Sequence, residues 1–101
     1  MKLRRLKRIR IGEVIFTVKW DSKDDGGYFD YGEKTISIGI KGNTMRQFAV
    51  IVHEIKEILN INQYVRYTRP DTLKDYEFHY GHREHSAMCN DLAGILNEFI
   101  K

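Results

Sequence analysis

The spacing of apolar residues changes near residue 43, and this change restricts the fold more than any other feature. Over residues 9–20, and again over residues 36–40, apolar residues alternate with polar or small ones. A period of two predicts β-strands. After residue 43 the apolar residues recur every three or four positions, which predicts α-helices. The sequence therefore predicts an α+β fold, in which a small antiparallel sheet is followed by helices.

Short polar segments mark the boundaries of these elements. Glycine-containing pairs at residues 12–13 and 32–33 predict turns within the sheet. Asn43 or Thr44 predicts the start of the first helix, because its side-chain oxygen can accept a free amide of the first turn. Asn60 predicts the end of that helix.

Two more elements are predicted after the first helix. Aromatic alternation over residues 64–67 and 76–80 predicts an inserted hairpin. The last helix is predicted from about His82 to Ile100. Its apolar stripe consists of Met88, Leu92, Ile95, Leu96 and Phe99. His85 and Cys89 fall on or near this stripe, so both are expected to face inward.

Length and composition indicate one soluble domain. The chain has 101 residues, which predicts a single domain over residues 1–101. No apolar run is long enough to cross a membrane, and the N-terminus lacks the features of a secretory signal. The single cysteine, Cys89, excludes an internal disulfide and predicts a cytoplasmic protein.

The net charge of +3 conceals a strong asymmetry. The first ten residues, MKLRRLKRIR, hold six of the seventeen lysines and arginines, and the rest of the chain is acidic. Two interpretations stay open: a solvated, charged edge strand, or a patch for phosphate or an acidic partner. A nucleic-acid partner is not expected, because the rest of the chain is acidic and carries no known nucleic-acid motif.

The segment VIVHEIKEIL, residues 50–59, carries the strongest chemical signal. His53, Glu54 and Glu57 form the frame His-Glu-x-x-Glu, one residue away from the helical zinc motif His-Glu-x-x-His. Helical residues four apart have Cβ atoms about 5–6 Å apart, so one ion can bridge His53 and Glu57. Zinc accepts both ligand types, and Glu54 can accept a proton from water on the metal. The alternative is a solvated Glu57 beside a hydrogen-bonded surface His53.

A catalytic zinc site needs a third protein ligand, which is expected to be a histidine from later in the chain. The segment HYGHREH offers His79, His82 and His85. His82 alone would leave one position open for water, whereas His82 together with His85 would close the site. A donor to the transition-state oxyanion is also expected, and the candidates, among which the sequence does not choose, are Tyr64, Arg66, Tyr67, His79 and Tyr80.

The order of these segments resembles a known family. GGYFDYGEKTISI precedes FAVIVHEIKEIL, and YGHREHSAMCNDLAGILNEFI follows. Over residues 26–100 the chain resembles the minimal zincin-like metallopeptidases of bacteria and their phages, relatives of the ImmA/IrrE type. It departs from that family where Glu57 replaces the commoner second histidine, and where residues 60–79 form a longer connection.

The resemblance implies a zinc-dependent hydrolase of peptide bonds. His53 and Glu57 would be the first two Zn²⁺ ligands, Glu54 the catalytic base and His82 the third ligand, with His85 as an alternative or fourth ligand. A peptide or protein substrate would add as an extra strand along the edge formed by residues 36–40. The alternative is an inactive zincin-fold module that binds a protein partner through its edge strand and basic N-terminus.

Overall fold

The computed structural model describes residues 1–62, 66–68, 76–78 and 82–101, with the backbone alone at 66–68, 76–78 and 82–84. Its elements, in chain order, are β1 (Arg8–Ile11), β2 (Val14–Asp21), β3 (Gly27–Asp30), β4 (Thr35–Gly39), α1 (Thr44–Asn62), β5 (Arg66–Thr68), β6 (Tyr76–Phe78) and α2 (His82–Phe99). The predicted α+β fold is confirmed, and so is the inserted hairpin, because β5 pairs antiparallel with β6.

The main sheet has four strands in the order β1-β2-β4-β3. The pairs β1–β2 and β3–β4 are antiparallel hairpins, whereas β2 and β4 run parallel. The prediction of an antiparallel sheet is therefore right for the hairpins and wrong for the centre of the sheet. After β2 the chain turns back as β3, and β4 then enters the space between β2 and β3.

The strand predicted at residues 36–40 is not an edge strand. It corresponds to β4, which pairs with β2 on one side and β3 on the other. Residues Ile36–Gly39 are all buried, as is typical of a central strand. Among the described strands, the edges of the main sheet are β1 and β3. An extended peptide therefore has no access to the backbone of β4. The prediction that a substrate adds as an extra strand along residues 36–40 is wrong for this reason.

Two residues in the left-handed region form the predicted turns. Gly12 has a φ of 64° between β1 and β2, and Lys34 has a φ of 57° just before β4. The loop before β3 is held by aspartates: Asp21 Oδ1 accepts the Lys23 amide, and Asp24 Oδ1 accepts the Gly26 amide. These bonds direct the chain from β2 into β3.

One hydrophobic core joins the inner face of the sheet to both helices. Its buried members are Ile9, Ile11, Phe16, Val18, Ile36, Ile38, Val50, Ile51, Ile55, Ile58, Leu59, Met88 and Phe99. The other stripe residues of α2, Leu92, Ile95 and Leu96, pack against it while half-buried. Helix α2 thus packs through its predicted apolar stripe. Separately, no described helix is long and apolar enough to span a bilayer.

Helix α1 extends two residues beyond its predicted end at Asn60. The Asn60 side chain is 2% exposed and its Nδ2 donates to the Lys56 carbonyl at 2.9 Å, which keeps it within the helix. Asn62 then joins the helix to the sheet, since it accepts a hydrogen bond from the Tyr31 hydroxyl and donates to the Ile11 carbonyl. These contacts fix the position of α1 relative to the strands.

Candidate metal centre

The three residues of the His-Glu-x-x-Glu frame lie in the middle of α1. The helix begins where Asn43 Oδ1 accepts the Arg46 amide at 2.9 Å, as predicted for a capping residue. Its buried face includes Val50, Ile51, Ile55 and Ile58, and the packing of these residues against the sheet fixes the rotation of the helix. The frame is therefore held by a rigid element of the fold.

The three side chains differ strongly in their exposure. Glu54 lies on the buried face of α1 and is only 4% exposed. The side chain of Glu57 is 25% exposed and that of His53 is 68% exposed. Sequence reasoning placed Glu54 beside the other two residues but did not predict its burial. A buried carboxylate is costly unless a cation or hydrogen bonds stabilise it.

Their ligand atoms converge. One ligand atom from each of His53, Glu54 and Glu57 lies within 4.8 Å of the other two, and His53 Nε2 is 3.1 Å from Glu57 Oε2. Two ligands at about 2.1 Å from a tetrahedral zinc ion are about 3.4 Å apart. The nitrogen–oxygen donor set and its spacing thus fit a zinc ion, and the same spacing also fits an ion pair between His53 and Glu57.

A cleft of about 470 Å³ borders His53 and Glu54. Its other lining residues are Gly26, Gly27, Arg46, Ala49 and Val50, so it lies between the start of β3 and the first half of α1. Gly27 is essential to this arrangement, because a Cβ there would lie 2.5 Å from Val50 Cγ1 and 3.6 Å from Glu54 Cγ. The edge strand β3 therefore passes directly beside the buried carboxylate.

Arg46 is a cleft residue to which sequence reasoning gave no role. It lies on α1 two turns before His53, and its Nε donates to the Asp25 carbonyl at 2.9 Å. That bond ties the loop before β3 to the start of α1. The seven-residue spacing of Arg46 and His53 was the only signal in the sequence that both line one side of the helix.

The third ligand predicted from the sequence lies outside the described side chains. His82 is the first residue of α2, as predicted, but its side chain and all of His79 fall in the part that the structure does not describe. The same holds for the side chains of the predicted oxyanion donors at residues 64, 66, 67 and 80. Among the described side chains, the group that can hold a metal consists of His53, Glu54 and Glu57.

His85 and Cys89 do not face inward, and this part of the prediction is wrong. Both are exposed, and His85 Nε2 lies 3.6 Å from Cys89 Sγ. Met88 on the adjacent face of α2 is buried at 2% exposure, which sets the helix rotation and turns both residues towards solvent. Among the described side chains, His85 is not part of the His53 group.

Comparison of the chain with protein-family models, with curated proteins and with solved structures gives no match. Membership of the zincin-like family therefore stays a prediction from the sequence.

Proposed function

We propose that this protein is a zinc-dependent hydrolase of the metallopeptidase type, with its site on α1 beneath the edge strand β3. One observation supports this most: a buried carboxylate, a half-buried carboxylate and an exposed imidazole present ligand atoms within 4.8 Å of one another. They do so beside a cleft large enough for part of a substrate. His53 and Glu57 would hold the ion together with His82, the third ligand predicted from the sequence.

Zinc bound there would supply Lewis-acid activation of water and of the scissile carbonyl. The chain's own contribution is chiefly that of Glu54. Its carboxylate accepts the proton of the attacking water and delivers it to the leaving amine. Burial among the residues of α1 and against Gly27 restricts the rotamers of Glu54, so the proton acceptor is held in place.

The edge strand β3 is the proposed place for the substrate backbone. Directly before β3, the amide of Gly39 in β4 donates to the Gly26 carbonyl at 2.7 Å. Bonding alternates along an antiparallel pair, so the N–H and C=O of the next residue, Gly27, point away from β4. An extended peptide pairing with Gly27 would pass over the cleft that contains His53 and Glu54.

Glu54→Gln tests the reaction. The amide keeps the shape of the side chain but cannot accept the proton, so cleavage of a peptide library should fall at least about a hundredfold. Zinc content, measured by elemental analysis of protein purified without an affinity tag, should be unchanged. Glu98→Gln, an exposed acid on α2, is the matched control and should cleave at the wild-type rate. Full activity of the Glu54→Gln protein, measured by mass spectrometry, contradicts the proposal.

A second candidate is a non-catalytic module that binds a protein partner through β3. The observation in its favour is the 68% exposure of His53, which suits an ordinary surface ion pair with Glu57. Wild-type protein that contains zinc, cleaves no peptide of the library and still captures extended peptides through β3 would support this candidate over the enzyme. For both candidates we propose the cytoplasm as the compartment, because Cys89 is an exposed free thiol.

A further inference from the structure

The basic residues of this chain are concentrated in one part of the fold. Residues 1–19 contain seven lysines and arginines and a single acid, Glu13, whereas the remaining residues contain ten basic and thirteen acidic side chains. The structure shows where the basic residues are placed. Two structural elements present them: the segment before β1, and the face of the sheet that is turned away from the helices.

The segment before β1 lies against the end of α2 and is fixed there. Leu3 forms a β-bridge with Ile100, and the Arg4 amide donates to the Phe99 carbonyl at 2.7 Å. Leu3 and Leu6 pack against the core. The cations of this segment, Lys2, Arg4, Arg5 and Lys7, are all exposed. The leucines thus hold the segment in place while its charges face solvent.

The outer face of the sheet continues this basic surface. Arg8 and Arg10 of β1 and Lys19 of β2 are exposed, and they alternate with buried residues of the same strands. Tyr28 of β3 is 61% exposed. Lys19 and Tyr28 both pair with Ser37, so a cation and an aromatic ring stand in one row across the sheet. Their backbones are separated by two strand spacings, or about 10 Å.

These cations are not neutralised within the described structure. The only ion pair among the described residues is that of His53 with Glu57, so no described carboxylate lies within 4.0 Å of Arg8, Arg10 or Lys19. Two acids share the outer face, Asp21 and Asp30, and both keep their negative charge while each accepts an amide of its own loop. Arg8 and Arg10 also border a cleft that is lined on the α2 side by Asp91 and Glu98. The seven cations of residues 1–19 outnumber these four acids, and this excess is the positive charge that a polyanion would meet.

Although the composition of the whole chain does not predict a nucleic-acid partner, the placement of its cations leads us to a different inference: we propose that the outer face of the sheet binds single-stranded nucleic acid. Arg8, Arg10 and Lys19 contact the phosphates, and the ring of Tyr28 stacks on an unpaired base. A single strand is favoured over a duplex, because only an unpaired and unstacked base can present its face to the Tyr28 ring. This inference is independent of the metal centre, which lies on α1 on the other side of the sheet.

Fluorescence anisotropy with labelled oligothymidylate and oligouridylate of about 20 nucleotides tests the proposal. We expect binding with a dissociation constant on the order of 10⁻⁵ M. Three phosphate contacts predict a slope of about −2 when the logarithm of the association constant is plotted against the logarithm of the salt concentration. This slope corresponds to about a fifteenfold loss of affinity between about 50 and 200 mM salt. Absence of binding at the lower salt concentration would overturn the proposal.

Matched variants distinguish the loss of the proposed binding residues from the loss of net charge alone. The triple variant Arg8→Gln, Arg10→Gln, Lys19→Gln should lose at least about tenfold in affinity and most of its salt slope. The control, Lys23→Gln, Lys41→Gln, Lys56→Gln, removes the same charge from exposed lysines elsewhere and should bind within about twofold of the wild type. Equal losses in the two variants would overturn the proposal, provided that circular dichroism shows both to be folded.

Substitution of Tyr28 distinguishes binding of nucleic acid from binding of other polyanions. Tyr28→Ala should lose at least about fivefold in affinity, whereas Tyr28→Phe, which keeps the ring, should retain it. Labelled polyglutamate and a duplex of the same length serve as alternative ligands. If either binds as tightly as the single strand, or if Tyr28→Ala binds normally, the surface is not a single-strand site and the proposal fails.

Discussion

Gly27 of β3 and Val50 of α1 are in such close contact that no side chain fits between them. A Cβ at Gly27 would lie 2.5 Å from Val50 Cγ1 and 2.7 Å from the Ser37 carbonyl oxygen. This contact is where the edge strand crosses the helix that carries the candidate metal ligands. It brings the backbone of β3 next to the cleft, so Gly27 is important for stability and for the proposed docking of a substrate.

Gly27→Ala should therefore destabilise the protein by about 1–3 kcal/mol, because the added methyl group overpacks the contact. Urea unfolding followed by circular dichroism measures the change. Gly26→Ala is the matched control, since a Cβ there meets its nearest atom, Asp24 Oδ1, at an ordinary 3.7 Å. If both variants unfold at the same urea concentration, β3 does not pack on α1 as described.

The capping bond at Asn43 should contribute measurably to the stability of α1. Asn43→Ala removes the acceptor for the Arg46 amide and should cost about 1 kcal/mol, whereas Asn43→Asp keeps an acceptor and should cost little. Asn90→Ala, in the interior of α2, is the control and should not destabilise. Thermal unfolding distinguishes these cases, and an Asn43→Ala protein as stable as wild type would show that the cap is not formed.

At Gly94, a substitution is expected to stabilise the protein rather than to destabilise it. It lies within α2, is exposed, and a Cβ there meets no atom within 4 Å. Gly94→Ala should stabilise the protein by about 0.5–1 kcal/mol, since alanine favours the helix and restricts the unfolded chain. A lower free energy of unfolding would indicate that the space beside Gly94 is filled.

The sequence predicts the elements of this fold better than their arrangement. Local signals, namely periodicity, the turn at Gly12 and the cap at Asn43, determine where strands and helices lie, and these predictions are confirmed. The position of β4 between β2 and β3 depends on contacts between distant segments, which no local pattern encodes.

The candidate site shows the same difference between what local signals predict and what depends on contacts between distant segments. Placing His53 and Glu57 on one side of a helix requires only the helical period, and the 3.1 Å separation of Nε2 and Oε2 confirms it. The burial of Glu54, and the exposure of His85 and Cys89, depend on how each helix is rotated against the sheet. A residue at the margin of an apolar stripe turns inward or outward according to its neighbours in space, which the sequence does not specify.

Zinc titration of metal-free, untagged protein, followed by isothermal calorimetry at neutral pH, tests the central claim most directly. We expect one zinc ion per chain. Free zinc at a hundredfold above the dissociation constant should also raise the free energy of unfolding by about 2.7 kcal/mol. His53→Ala, Glu57→Ala and His82→Ala should each abolish stoichiometric binding, whereas His85→Ala, which removes an exposed histidine outside the His53 group, should retain it. Substoichiometric binding by the wild type, or full binding by His53→Ala, would contradict the account.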